Sequence, residues 1–282
     1  MAAGLNDGQP LRLAFGTPPQ RTEPAKPPED ATKPQSESSA ERLLQALLAG
    51  KMSTQQEHQL GERIIGNLLG VAPLVPDDGL QRYINQVGRW VASQSERPDL
   101  DWRFGVIESE DVNAFAAPGG YVMVTKGLYR RLNNEAELAG VLGHEIGHVM
   151  SRHHVKLLQR SQLLASLSGA LGKQVSDEHE RLQSIIGRGA EVAARSLDKS
   201  SEFEADRIGM VLAARGGYDA YGLPLVLQEI GHFSEKDDRV ALLFKTHPHP
   251  DARFNQLAEA VGTRFDALTE GATLESRFYR LK

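Results

Sequence analysis

The sequence predicts a helix-rich α+β fold in which one small sheet lies beside a central helix. Three observations predict it. Apolar residues recur at three- and four-residue steps through most of the chain, the period of an amphipathic helix. Three short β-type runs (Trp102 to Ile107, which alternates, residues 113–116, and Gly120 to Thr125) stand close together, the last two separated by Pro118-Gly119. The helix that follows carries His144-Glu145-Ile146-Gly147-His148 along an apolar stripe.

Residues 1–37 are rich in Pro, Lys, Glu, Gln, Ser and Thr, and read as a disordered tether to one domain over residues 38–282. They lack the continuous apolar run of a signal peptide, and no stretch approaches the roughly 18 apolar residues of a membrane span. Ser38 and Glu41 form a capping box before Leu43, Leu44, Leu47 and Leu48, and Gly50 ends that helix. A second helix begins near Ser53 or Thr54 and puts Leu60, Ile64, Ile65, Leu68 and Leu69 on one face. Pro76-Asp77-Asp78-Gly79 leads into a third, with Leu80, Ile84, Val87 and Val91. After the strands, Asn133 or Asn134 caps the central helix, with Glu135 and Glu137 in its first turn, where the helix dipole favours acids. Leu138, Val141, Leu142 and Ile146 bury it. Residues 156–186 read as a helix with a broad apolar face; core packing is the simpler account, a membrane or partner surface the sharper one. Two prolines keep His247-Pro248-His249-Pro250 from being helical, and a last helix starts near Arg253.

Composition narrows the chemistry. A formal charge of −5 with no basic stripe gives no footprint for nucleic acid. Cysteine is absent, so thiolate ligands, cysteine nucleophiles and disulfides are excluded, and His, Asp and Glu remain as metal ligands. A helix turns about 100° per residue, so His144 and His148 point from one face toward one ion. Glu145 projects to the side, where it can take a proton from an activated water without binding the ion. Further on, Glu202 and Asp206 share a second helical face. Glu202 supplies a third ligand, and Asp206 accepts the free ring N–H of a ligating histidine.

With Glu202-Phe203-Glu204-Ala205-Asp206 behind His144-Glu145-Ile146-Gly147-His148, the chain resembles metallopeptidase family forty-eight, a gluzincin family of zincin-like fold that includes HtpX and the CAAX prenyl protease. Asn113-Ala114-Phe115-Ala116-Ala117-Pro118-Gly119-Gly120, Glu137 to Gly143, Arg152-His153 and Thr246-His247-Pro248 with Arg253 complete the match in family order. The likeness is strongest to the short periplasmic bacterial members of the LoiP and BepA type. It implies a zinc endopeptidase with one Zn²⁺ at His144, His148 and Glu202, and Glu145 as general base. It implies a periplasmic or envelope location, against a cytosolic one, with unfolded or misfolded proteins as substrates and peripheral membrane association allowed. A chaperone or assembly factor for envelope proteins, with latent proteolysis, is the alternative. The resemblance also implies that the Asn113-Ala114 strand holds substrate backbone. His247 has two roles open to it over the metal: stabilising the oxyanion, or occupying the open position as a latch, as the periplasmic relatives imply. His153 and His154 lie just past the metal helix, where His153 braces the site or does nothing. Arg253 pairs with an acid near the site or is solvated.

Overall fold

The computed structural model describes residues 39–167, 197–233, 237–262, 264 and 271–281. The tether, Ser38 and residues 168–186 of the apolar stretch lie outside them. Three helices come first: α1 (Ser39–Leu48), α2 (Thr54–Val71) and α3 (Asp78–Ala92). Ser53 Oγ accepts the Gln56 N–H while Gln56 Oε1 accepts the Ser53 N–H, so a complete capping box starts α2. Asp77 caps α3 by accepting the Leu80 N–H at 3.0 Å.

Strands β1 (Arg103–Ile107), β2 (Ala114–Ala117) and β3 (Tyr121–Thr125) form a mixed sheet in the order β1-β3-β2. β1 runs parallel to β3 with Arg103 opposite Tyr121, and β2 runs antiparallel to it with Ala114 opposite Val124. Gly119 and Gly120 take φ of +81° and +105° in the connecting turn, conformations that side chains resist. A Cβ on Gly119 would also strike the α2 backbone at His58. The expected alternation of β1 is absent from its burial: Phe104 to Ile107 are all buried. The cause is that both faces of the sheet are covered. Phe104, Val106, Val122 and Val124 pack on one side with Leu80, Ile84 and Val87 of α3 and Leu142 and Ile146 of the central helix. Ile107, Tyr121 and Met123 pack on the other with Leu60 and Ile64 of α2, Leu43 and Leu47 of α1, and Leu158.

After the short α4 (Lys126–Tyr129) comes the central helix α5 (Glu135–Met150), then α6 (His153–Leu167), α7 (Lys199–Arg215), α8 (Gly222–Gly231), α9 (Asp238–Thr246) and α10 (Pro250–Val261). The sequence reading contains no counterpart of α8 and α9. His247 is extended, φ −127° and ψ 149°, between α9 and α10. Among the described residues no helix is long and apolar enough to cross a membrane.

Candidate metal centre

The site is built where α5 and α7 touch. Asn134 caps α5 by accepting the Glu137 N–H at 2.9 Å, and the Glu137 carboxylate accepts the Asn133 N–H at 2.7 Å. Glu135, expected as an acid facing the dipole, does more. It is fully buried, and its carboxylate accepts hydrogen bonds from Tyr83, Tyr218 and Arg277. Asp198 caps α7 through the Ser201 N–H at 2.8 Å. Small residues let the two backbones meet: a Cβ on Gly143 would lie 2.8 Å from Gly209 O, and one on Gly209 would lie 2.7 Å from His144 N.

That approach carries Glu202 to the histidines. His144 Nε2 and His148 Nε2 are 3.0 Å apart. Glu202 Oε1 lies 3.4 Å from His148 Nε2, and Oε2 lies 3.7 Å from His144 Nε2. His247 Nε2 comes from the α9–α10 connection to 3.8 Å from Glu202 Oε2, while its Nδ1 bonds Thr246 Oγ1 at 2.8 Å. These four residues offer ligand atoms that all fall within 4.8 Å of one another. Zinc bonds of about 2.0–2.2 Å in a tetrahedron put neighbouring ligand atoms roughly 3.3 Å apart, close to the spacings seen.

The electrostatics call for a cation. Glu202 is fully buried, and neither carboxylate oxygen has a hydrogen-bond partner. Burial pushes its pKa well above the ordinary carboxylate value. Arg253 Nε comes no nearer than 4.0 Å to Oε2 and is already bonded to Asp206, so an ionised Glu202 is costly unless a further positive charge meets it. Burial also lowers the pKa values of His144, His148 and His247, the last two strongly. They therefore stay neutral, the form that ligates metal. The donor set fits a divalent ion of the zinc type.

Around this set, His144 Nδ1 lies 2.8 Å from Asp206 Oδ1, which leaves its Nε2 lone pair free. Arg253 is buried and grips Asp206 with two bonds, Nη2 to Oδ1 at 2.6 Å and Nε to Oδ2 at 3.0 Å. Burial opposes the charge on Asp206, but Arg253 and the His144 ring outweigh it and hold the carboxyl below its ordinary range. Of the two readings of Arg253, pairing with an acid is the one the geometry bears out.

Glu145 lies outside the four-residue group. It lines a cavity of ≈ 40 Å³ together with His144, His247, Arg253 and an apolar wall that includes Val141, Leu223 and Leu243. Burial raises its pKa to about 8. Ala114, on the edge strand β2, lines the same cavity. Asn113 is turned inward: its N–H donates to Thr125 Oγ1 at 3.0 Å, and its carbonyl accepts the Thr125 N–H at 3.0 Å. The antiparallel pattern thus aims the main-chain groups of Ala114 and Ala116, not those of Asn113, at the open edge. Asn113 Oδ1 instead accepts the Ala114 N–H at 2.9 Å, so its part is to shape that edge from within. His58 pairs with Tyr121, His232 follows α8, and His249 caps α10. His153, by contrast, lies against His148 with Nδ1 to Nδ1 at 2.9 Å. Spacing could not show this contact, because it depends on a chain reversal at Arg152, a non-glycine residue with φ +55°.

The family model of peptidase family M48 matches residues 79–261. The chain is 32% identical over 211 residues to the beta-barrel assembly-enhancing protease of Yersinia pestis, covering 72% of this chain and 43% of that protein. It is likewise 32% identical to the protein of that name from Escherichia coli strain K12, with the same coverage. It is 28% identical to the mitochondrial metalloendopeptidase OMA1 of Arabidopsis thaliana, over 66% of this chain and 37% of that one. The chain thus spans less than half the length of these relatives. The match encloses both site helices and the α9–α10 connection, and the chain belongs to peptidase family M48, a family of zinc-dependent metallopeptidases.

Proposed function

We propose that this chain is a zinc endopeptidase that hydrolyses peptide bonds in other proteins and serves protein quality control in the cell envelope. The observation that carries the reading is Glu202, a buried carboxylate with no hydrogen bond to either oxygen, facing two imidazoles at near-tetrahedral spacing. His144, His148 and Glu202 hold the ion. Bound there, zinc supplies a Lewis acid that polarises a scissile carbonyl and acidifies a water. Glu145 takes the proton of the attacking water and returns it to the leaving amine. Asp206, fixed by Arg253, keeps the His144 proton on Nδ1. An extended peptide pairs with the β2 edge at the Ala114 carbonyl and the main-chain groups of Ala116, through bonds that ignore sequence. The envelope role, the periplasm as location and misfolded proteins as substrates rest on the names and likeness of the bacterial relatives.

A second reading concerns latency, and the place of His247 favours it. With its Nε2 among the other ligand atoms, His247 fills the position a substrate would need, and the cavity beside Glu145 has room for a few waters at most. The resting protein is then a latched protease, which also leaves room for a chaperone-like role in assembly. Metal analysis of the purified protein, with casein digestion in the presence and absence of chelator, tests the proposal. One zinc per chain and chelator-sensitive digestion, retained zinc but lost digestion in Glu145→Gln, and loss of both in His144→Ala are expected. Full activity in Glu145→Gln overturns it.

A further inference from the structure

We infer that His153 is the positioning residue for the ligand His148, with Glu204 and Ser151 behind it; this rests on the metal site proposed above. His148 and His144 are oriented by different means. His144 leans directly on a carboxylate, Asp206. Among the described residues, His148 has none within reach of its Nδ1 and meets a second imidazole there, His153 Nδ1 at 2.9 Å. Two ring nitrogens at that distance make a hydrogen bond only if one carries a proton and the other does not. A His148 that ligates through Nε2 keeps its proton on Nδ1 and donates it to His153. His153 then carries its own proton on Nε2, which lies 3.6 Å from Glu204 Oε2. Glu204 Oε1 accepts the Ser151 hydroxyl at 2.6 Å, which holds the carboxylate toward the ring. The order of influence follows: the Glu204 charge, 3.6 Å away, favours the His153 proton on Nε2, and His153 Nδ1 accepts from His148 Nδ1, leaving the His148 Nε2 lone pair toward the metal.

His153 is not itself a ligand. It sits on the far side of the His148 ring from Glu202, outside the four residues whose ligand atoms converge. It reaches that place because the chain reverses at Arg152 in the left-handed region. The reversal is held by charge: Arg152 Nη2 lies 2.6 Å from Glu57 Oε1, an ion pair without hydrogen-bond alignment, and Arg97 Nη2 donates to Glu57 Oε2 at 2.9 Å. Glu57 is buried on α2, so this helix, remote from the metal in sequence, fixes where His153 stands.

The test compares His153→Phe, which offers Nδ1 of His148 no acceptor, with His153→Gln, which offers an amide oxygen, and with Glu204→Gln at a half-exposed position. Zinc dissociation constants are measured by chelator competition, together with the melting temperature of the metal-free protein. The expected result is a loss of zinc affinity of about 10–100-fold in His153→Phe. A few-fold loss is expected in the other two, with metal-free melting unchanged in Glu204→Gln. Wild-type affinity in His153→Phe, or equal losses in His153→Phe and His153→Gln, overturns the assignment. Where His153→Phe does not fold, Glu204→Gln decides, and unchanged affinity there overturns it. Wild-type protein that takes up no zinc would instead sink the metal site itself.

Discussion

Gly209 on α7 is where the structure makes its sharpest demand on sequence. A Cβ there would lie 2.7 Å from His144 N and 3.1 Å from Gly143 C and His144 Cα. All three are backbone atoms of α5, so no side chain can swing aside. Ordinary contact begins near 3.4 Å, so Gly209→Ala drives the two helices apart by about 0.7 Å at that point. Overpacking of this kind costs about 1–3 kcal/mol. Alanine is a better helix former than glycine by about 1 kcal/mol, which offsets part of it. The net loss of fold stability is therefore modest, up to about 2 kcal/mol.

Zinc binding suffers more. Glu202 lies about two turns earlier on the same face of α7. Metal–ligand distances tolerate only about 0.2 Å of error, so a displacement several times larger at the crossing weakens the grip of Glu202. The expected signature is a zinc affinity lowered about tenfold or more, beyond what the loss of stability accounts for. Chelator competition and melting temperatures with and without zinc measure the two effects separately. Gly66→Ala on α2 is the control, since a Cβ there meets nothing within 4 Å, and it should be neutral or stabilising. Wild-type zinc affinity and wild-type stability in Gly209→Ala would refute the argument that backbone contact of α5 and α7 sets the ligand geometry.

His247→Ala should raise casein digestion while zinc stays bound to the other three ligands; abolished turnover with zinc retained would favour the oxyanion role instead. Glu145 works as a base only when ionised, and burial raises its pKa from an ordinary 4.5 to about 8 before any metal charge pulls it down. The acid limb of kcat/KM should thus lie between those values, activity rising with pH through it; a profile level down to pH 4.5 would count against Glu145. Tyr218→Phe removes one of three donors from buried Glu135 and should cost about 1–3 kcal/mol in denaturant unfolding, with a loss under about 0.5 kcal/mol arguing against that knot as a stabiliser of α5.

Much of the fold was legible because local chemistry and packing agree. Ser53, Asp77 and Asn134 each sit where a helix begins, and each caps it. Pro118-Gly119 marks a turn that needs positive φ, and the strands flank it as read. The convergence of His144, His148 and Glu202 was legible for a similar reason: helical spacing fixes which side chains share a face. What it could not give was the crossing that brings the two faces together. That depends on Gly143, Gly147, Ala205 and Gly209, whose meaning appears only when the helices are laid on each other. Helices α8 and α9 escaped because α8 opens without a side-chain cap and α9 is short. β1 misled because alternation implies one wet face, whereas α2 and α3 cover both.

Two of the contacts that spacing missed are bonds between charged groups far apart in sequence. Arg253 reaches Asp206 across the α9–α10 connection, and Glu57 holds Arg152 from α2. Each is a buried charge, and a buried charge needs its partner in place before the fold can close around it. In Arg253 and Asp206 the pair is complete without metal, which leaves His144 oriented in advance. In Glu202 it is incomplete, and this is the asymmetry that matters. Asp206 behind the proposed ligands is held by two hydrogen bonds from Arg253, whereas neither oxygen of Glu202 has a hydrogen-bond partner and its one cation, Arg253 Nε, stands 4.0 Å away. Since desolvating Glu202 raises the free energy of the metal-free site, the same burial that strains that state sharpens affinity for a dication. Burial, and not the ligand count alone, therefore makes this a metal site and not an ordinary polar core.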